Sequence, residues 1–379
     1  MPPDASALLA PLAIWFDAHR RDLPWRAEQL DIPHPDPYAV LVSELMLQQT
    51  QVATVIPYFN RWMARFPDPQ TLAQASDEDI HRHWQGLGYY RRAAHLKAAA
   101  IELAQHGWPQ DFRGLERLPG VGPYTAAALA SIAFLKPEPA LDGNAFRVLA
   151  RLQGLRQDPR TCASELREWL RPALATHGPS RMTQAIMELG ALVCTPSPRC
   201  TACPLAQGCA AALEDLTGII PPPKARAAVR EISIWLLAIH STRQDEWLLH
   251  PPQARGLLAG LWRWPSIEFT GSCEAMATES AAEDIEPYGT SLANARAWSP
   301  WVQTYTHRRE QVHPCALEIE EKPEPIAGLQ WVSSARLPEL PMGKRDQRLR
   351  ALLALSDARE DERPFFSPLS QIRSTLFLD

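Results

Sequence analysis

The chain has 379 residues, 46% of them hydrophobic and including 13 Trp, which suits two domains with buried cores. No apolar run reaches the roughly 18 residues of a membrane-spanning helix, and no charged-then-apolar leader opens the chain. A soluble, unexported, cytoplasmic protein without membrane contact is therefore expected. The formal net charge of −5, with 20 Arg plus Lys against 22 Asp plus Glu in residues 1–215, excludes a bulk basic field. Any nucleic-acid binding must then rest on local clustering and backbone donors.

Residues 6–215 read as helix after helix. Apolar residues recur at helical spacing in Leu8–Trp15, Val40–Val55, Tyr58–Phe66 and Ala93–Leu103, between short breaks carrying Pro, Gly or Asp. The turn Leu118-Pro119-Gly120-Val121-Gly122-Pro123 leads into a helix-forming stretch, Tyr124–Ala133. Gly120 and Gly122 permit a tight helix-hairpin-helix turn, and backbone N–H groups there suit a phosphate. Gly120, Val121 and Gly122 are thus candidate phosphate contacts, although a plain turn between helices is equally compatible with these residues taken alone.

Of seven cysteines, Cys194, Cys200, Cys203 and Cys209 are separated by five, two and five residues, so they can converge on one metal centre. Four thiolates could hold zinc or an iron–sulfur cluster; the wide gaps suit a cubane better than paired zinc knuckles. Cys162, Cys273 and Cys315 read as ordinary buried thiols. Residues 216–229, with Ile219-Ile220-Pro221-Pro222-Pro223-Lys224, read as a stiff proline linker. Strand-like segments follow at Ile232–Ile239, Trp247–His250, Trp301–Thr306 and Val312–Ile319, so residues 230–355 are expected to form a smaller α+β domain. Residues 356–379 read as a loosely ordered tail.

Taken together, these elements resemble the helix-hairpin-helix, iron–sulfur base-excision DNA glycosylases, and most closely the adenine DNA glycosylase branch, the MutY family. The matching stretches are Leu23–Arg26, Ser43–Phe59, Gly86–Ala93, Leu118–Ala126, Leu141–Asn144, Arg147–Arg151 and Met187–Cys194. The resemblance implies an all-α glycosylase domain over 1–215 with a [4Fe-4S] loop at the four cysteines. A barrel lobe would span about 27–135, and the N-terminal helix with 136–215 would form the iron–sulfur lobe. Residues 256–265 (Gly256-Leu257-Leu258-Ala259-Gly260-Leu261-Trp262-Arg263-Trp264-Pro265) resemble the family's Nudix-like C-terminal domain.

The resemblance further implies a monomeric enzyme that releases adenine mispaired with 8-oxoguanine or guanine in double-stranded DNA. Glu44, in an apolar segment that should raise its pKa, would be the acid. Asp142 would stabilise the oxocarbenium-like sugar, with Tyr124 hydrogen-bonding it and Asn144 orienting it. Tyr124 stands where endonuclease III-like relatives carry the Schiff-base Lys, which implies a monofunctional enzyme. Gln49, Leu87 and Tyr89 match positions that fill the gap left by a flipped base, and Arg26, Gln184 and Glu188 match positions that read adenine. Tyr305-Thr306-His307 matches the turn that recognises 8-oxoguanine.

Two departures stand out: the first cysteine gap is five residues rather than the usual six, and Ala27–Pro37 is longer than usual. The stretch Ser266–Gly289 lacks the Glu-rich box of a Nudix hydrolase, which argues against nucleotide pyrophosphatase activity. Gln371–Leu378 resembles a sliding-clamp-binding peptide. A bifunctional lyase and a catalytically silent lesion binder remain as alternatives.

Overall fold

A computed structural model of the chain describes residues 4–223, 229–253, 256, 258–269, 295–305, 308–322 and 328–357. It forms two compact units, Met1–Ala75 with Arg92–Ala225, and Ser76–Arg91 with Arg226–Asp379. Among the described residues no helix is long and apolar enough to cross a membrane.

The first unit is helical. Helix α1 (Ala5–His19) is capped by Asp4, and α2 (Pro37–Leu47) starts on a Pro behind the Asp36 cap. Then come α3 (Val52–Arg65) and α4 (Pro69–Gln74). Helix α5 (Asp77–Trp84) is followed by α6 (Arg91–His106), α7 (Phe112–Glu116) and α8 (Pro123–Ala128), which runs into a π turn at Leu129–Ala133. The remainder is α9 (Gly143–Gln153), α10 (Ala163–His177), α11 (Pro179–Leu192) and the short α12 (Ala210–Leu213). Leu9, Leu12 and Phe16 of α1 share one core with Val148, Leu149, Leu170, Leu174, Ile186 and Leu189 of α9–α11. Helix α2 is buried on every side from Tyr38 to Met46, which its largely apolar sequence foretells, and the burial takes in Ser43 and Glu44.

The periodic stretch Val40–Val55 is not one helix. It breaks at Gln48–Gln51, where Gln49 takes φ +59°. The break has a physical cause outside the segment. Nη1 of buried Arg92 donates to the carbonyls of Leu45, Met46 and Gln48 at 2.7, 2.8 and 2.6 Å, capping the end of α2.

In the second unit, β1 (Arg230–Ser241) runs parallel to β6 (Arg308–Ile319) along their full lengths, Arg230 facing Arg308 and Ser241 facing Ile319. Strands β2 (Glu246–Leu249) and β3 (Ser266–Phe269) pair antiparallel with β1, while β4 (Arg296–Ala297) and β5 (Trp301–Thr304) pair antiparallel with β6. Strand β7 (Gln330–Ser333) closes on β2. One face packs Ile234, Leu236, Trp264 and Val312 against α13 (Lys344–Asp357); the other gathers Trp235, Leu237, Cys315 and Leu317.

Two expected boundaries move. The linker reading for 216–229 fails at its start, because Ile220 is buried against Ala150 and Ala211 and its carbonyl accepts from Arg151 Nε at 2.8 Å. Segment 76–91, sequentially inside the helical run, belongs by its contacts to the second unit. There Glu78 pairs with Arg336 at 3.3 Å and His81 lies against Gly260.

Candidate active site

Glu44 sits inside the buried α2, 7% exposed. Burial pushes its carboxyl up to about 7, a hydrogen bond from Tyr124 pulls the other way, and the nearby Asp142 charge raises it further. Its partner is therefore a tyrosine, not the arginine that would neutralise a structural glutamate. The Tyr124 hydroxyl, suggested by the sequence as a partner of Asp142, is instead bonded to Glu44, and burial beside the two carboxyl groups raises it well above an ordinary phenol. Tyr124 reaches this place because α8 starts at Pro123, directly after the hairpin.

Asp142 caps α9, its Oδ1 accepting from Ala145 N–H at 2.6 Å, so the helix-cap and functional readings hold together. Burial raises its carboxyl, and the bonds from Ala145 and Asn144 with the Arg147 charge oppose that rise. Asn144 Nδ2 donates to Asp142 Oδ2 at 3.1 Å, as expected for an orienting amide. Its own Oδ1 is fixed by Arg147 Nη2 at 2.8 Å. Gly190 lets α11 approach this pair; a Cβ there would stand 2.8 Å from Asn144 Cβ. The sequence-predicted quartet Glu44, Tyr124, Asp142 and Asn144 is thus one connected site, with both carboxyl groups raised by burial.

Arg26, Gln184 and Glu188 also come together. Arg26 Nε donates to Gln184 Oε1 at 2.8 Å, and its Nη2 meets Glu188 Oε2 at 3.1 Å. Sequence reasoning missed Arg21, whose guanidinium grips both oxygens of Glu188 at 2.8 and 3.0 Å. Burial pushes the Glu188 carboxyl up, but the bonds from Arg21 and Arg26 outweigh it and hold it below the usual range. The long Ala27–Pro37 loop is pinned by Asp31 on Arg181 at 2.9 Å and by His34 N–H on Ala133 O at 3.0 Å.

The hairpin needs partial correction. Val121 is a core residue whose N–H donates to Leu118 O at 3.0 Å, so it offers no phosphate contact. The N–H groups of Gly120 and Gly122 take no partner among the described residues. Gly120 is required on two counts, φ +74° and a Cβ that would stand 2.3 Å from His95 Cβ. Gly122 is extended at φ −90° and faces open space, so its lack of a side chain leaves room rather than relieving strain. Gly120→Ala is expected to destabilise the protein by at least about 1–2 kcal/mol, read as a lower urea midpoint, whereas Gly122→Ala leaves it unchanged.

Cys194, Cys200, Cys203 and Cys209 line one small hollow, partly open to solvent, with Arg151, Val193 and Arg199 among its walls. The five-residue gap is closed by Arg199, whose N–H and Nη2 bond Val193 O at 3.0 Å and Leu192 O at 2.6 Å. All four thiols are free, and burial raises Cys203 to about 11 and Cys209 in the same direction. Among the described residues no three His, Cys, Asp or Glu close on a point as a single metal ion requires. Arg151, one turn beyond Arg147 on α9, donates to Cys194 Sγ at 3.5 Å and Thr195 O at 2.6 Å; Arg147 donates to Cys194 O at 2.7 Å. The i, i+4 spacing of these arginines was the available signal for both.

Leu87 (6% exposed) and Tyr89 (43% exposed) lie in segment 76–91. Tyr89 has φ +49°, a left-handed conformation in a bulky residue, as Gln49 has in the helical unit. Tyr305 N–H donates to Arg308 O at 2.8 Å across the turn; Thr306 and His307 lie outside the described residues. So do Cys273, most of Ser266–Gly289 and the peptide Gln371–Leu378. Cys315 is buried as expected, whereas Cys162 is only partly so.

Compared with known proteins, residues 42–172 match the family described as HhH-GPD superfamily base excision DNA repair protein, and residues 235–352 match the NUDIX domain family. The chain is 34% identical to human adenine DNA glycosylase over 388 residues, covering 87% of this chain and 71% of that one. It is 37% identical to adenine DNA glycosylase of Buchnera aphidicola subsp. Schizaphis graminum over 237 residues (61% of this chain, 67% of the relative). The chain belongs to the adenine DNA glycosylase family. It spans little more than half, 56%, of the Arabidopsis thaliana adenine DNA glycosylase, with which it shares 35% identity over 357 residues and 81% of its own length. Family membership agrees with the expected architecture, a helix-hairpin-helix domain followed by a Nudix-like α+β domain.

Proposed function

We propose that the chain is a monofunctional DNA glycosylase that removes adenine mispaired with 8-oxoguanine, or with guanine, in double-stranded DNA. The observation that carries this reading is a buried carboxyl held half-protonated near pH 7, Glu44, bonded to Tyr124 and within the field of Asp142. Adenine is a poor leaving group until its N7 is protonated. Glu44 supplies that proton, the C1′–N9 bond breaks, and Asp142 stabilises the oxocarbenium-like sugar by electrostatics or a transient bond. Adenine leaves neutral with the Glu44 proton, water adds its hydroxyl to C1′, and the water's remaining proton returns to the Glu44 carboxylate. Tyr124 has no amine to form a Schiff base, which supports release without strand cleavage.

In this reading Gln49, Leu87 and Tyr89 fill the gap of the flipped base, while Arg26, Gln184 and Glu188 form the adenine pocket. Gly120 and Gly122 meet a DNA phosphate, and the turn Tyr305-Thr306-His307 reads 8-oxoguanine. Cys194, Cys200, Cys203 and Cys209 hold a [4Fe-4S] cluster, which supplies structural bracing of the loop and a redox-capable centre. A monomer acting in the bacterial cytoplasm is proposed, with Gln371–Leu378 as a sliding-clamp contact.

Single-turnover adenine release from an 8-oxoguanine:A duplex tests the activity. Release without trapping by borohydride supports the monofunctional enzyme; duplex binding without release would favour the silent binder, and trapping the lyase. Iron and acid-labile sulfide analysis tests the cluster. About four of each per chain are expected, with marked loss in Cys203→Ser; zinc in their place would overturn it.

A further inference from the structure

We propose that Arg92 is a positioning residue for base extrusion, holding Gln49 at a fixed reach from the hairpin glycine Gly120 through helix α6. This rests on the readings of Gln49 as gap-filling and of the hairpin as phosphate-binding given above. Gln49 is exposed in the turn between α2 and α3, at φ +59°. That left-handed conformation is costly for a residue with a side chain and persists where its surroundings fix it. Two bonds within the turn are long, Thr50 N–H on Leu47 O at 3.1 Å and the Thr50 hydroxyl on Gln48 O at 3.4 Å. Gln51 gives α3 no side-chain cap. Arg92, 6% exposed, grips both flanks of Gln49 instead. Its Nη1 donates to Gln48 O at 2.6 Å, and to the carbonyls of Leu45 and Met46, while its Nη2 donates to Thr50 Oγ1 at 3.4 Å. A planar fork with one nitrogen on residue 48 and the other on residue 50 fixes the residue between them.

The same helix seats the hairpin. His95 follows Arg92 by three residues, which places both on one face of α6. A Cβ at Gly120 would stand 2.3 Å from His95 Cβ, so the hairpin backbone lies directly against α6. The helix is itself set in the core by Ala93, Leu96, Ala99, Ala100 and Leu103, all buried. One turn of α6 thus carries both the seat of the hairpin and the clamp on Gln49. A phosphate held at the hairpin decides where the duplex lies, and Arg92 decides how far Gln49 reaches toward it. A Gln49 already held in place loses little freedom on entering the gap, whereas a freed turn must be ordered as the base leaves the stack. The role of Arg92 is therefore in extrusion. Proton donation by Glu44 is separate, because Glu44 precedes the clamped carbonyls on α2 and is bonded by Tyr124.

The test compares wild type, Arg92→Met, Gln49→Ala and the double variant on duplexes containing 8-oxoguanine. Fluorescence of 2-aminopurine in place of the mispaired adenine reports extrusion, and single-turnover adenine release is followed against pH. Arg92→Met is expected to lower extrusion and release about tenfold and to add nothing once Gln49 is Ala. The alkaline limb near pH 7 should stay in place. Losses that multiply would mark Arg92 as packing alone, and a limb that moves would put its effect on Glu44; either overturns the proposal. Should Arg92→Met fail to fold, Thr50→Val removes only the hydroxyl that joins Arg92 to Gln48 O. It is expected to lower extrusion severalfold, with no further loss in Gln49→Ala; unchanged extrusion would equally overturn the proposal. A Gln49→Ala chain that extrudes like wild type would remove the gap-filling reading and the proposal with it. A wild type that extrudes the base but releases no adenine would remove the glycosylase reading and leave the fluorescence comparison to decide this one.

Discussion

Glu44→Gln is expected to reduce adenine release by about 10²–10⁴-fold, the range for loss of a general acid, while binding to an 8-oxoguanine:A duplex persists. The amide keeps the volume and can still accept from Tyr124, so the lost proton is the variable. The same substitution carries a stability signature that separates it from a folding defect. The Glu44 carboxyl titrates at about 7 in the folded chain against 4.5 unfolded, so between those values the native state holds a proton that the unfolded state releases. Wild-type stability from this group is full below about pH 4.5 and falls as pH rises through 7. The Gln variant escapes that loss. It should match wild type near pH 4.5 and exceed it above pH 7 by on the order of 3 kcal/mol, measured by urea unfolding at both pH values. Wild-type kcat/KM should fall as pH rises above about 7. Equal stabilities at pH 8 together with undiminished release would remove Glu44 from the mechanism.

Asp142→Asn is expected to cost about 10²–10³-fold in release, as for loss of one preorganised electrostatic group, with little change in stability. The reason lies in its double duty. Asn caps helices as well as Asp, so the bond from Ala145 N–H survives and α9 keeps its start. Only the charge goes. Because that charge helps to raise Glu44, its removal should also move the alkaline limb of the residual activity to lower pH. A limb that stays in place would disconnect the two carboxyl groups; a large drop in urea midpoint would mean that the cap, not the charge, had been lost.

Much of this site was legible before any coordinates. Glu44 in a largely apolar segment already implies desolvation, the largest cause of its raised pKa. Asp142 before Gly143-Asn144 and a helical run reads as a cap, and the cysteine spacing lets all four thiols meet at one hollow. The short apolar run Ile232–Ile239 likewise announces a strand, and it pairs in parallel with Glu310–Leu317. Such features depend on neighbours along the chain, where periodicity and local composition carry the information.

Only the tertiary structure could decide what depends on distant residues. Arg92 ends α2 from more than forty positions away, so the helical spacing across Val40–Val55 could not reveal the break at Gln49. Arg21 neutralises Glu188 from the far end of the helical unit, and Ile220 becomes core because Arg151 and Ala150 wait for it. Tyr124 chose Glu44 over Asp142 through packing of α8 beside α2. Segment 76–91 joined the second unit because Gly260 has no side chain to keep His81 away. Helix and strand periods record which face of an element is buried, but not what buries it. That is settled by long-range complementarity of shape and charge, which the linear order of residues does not encode locally.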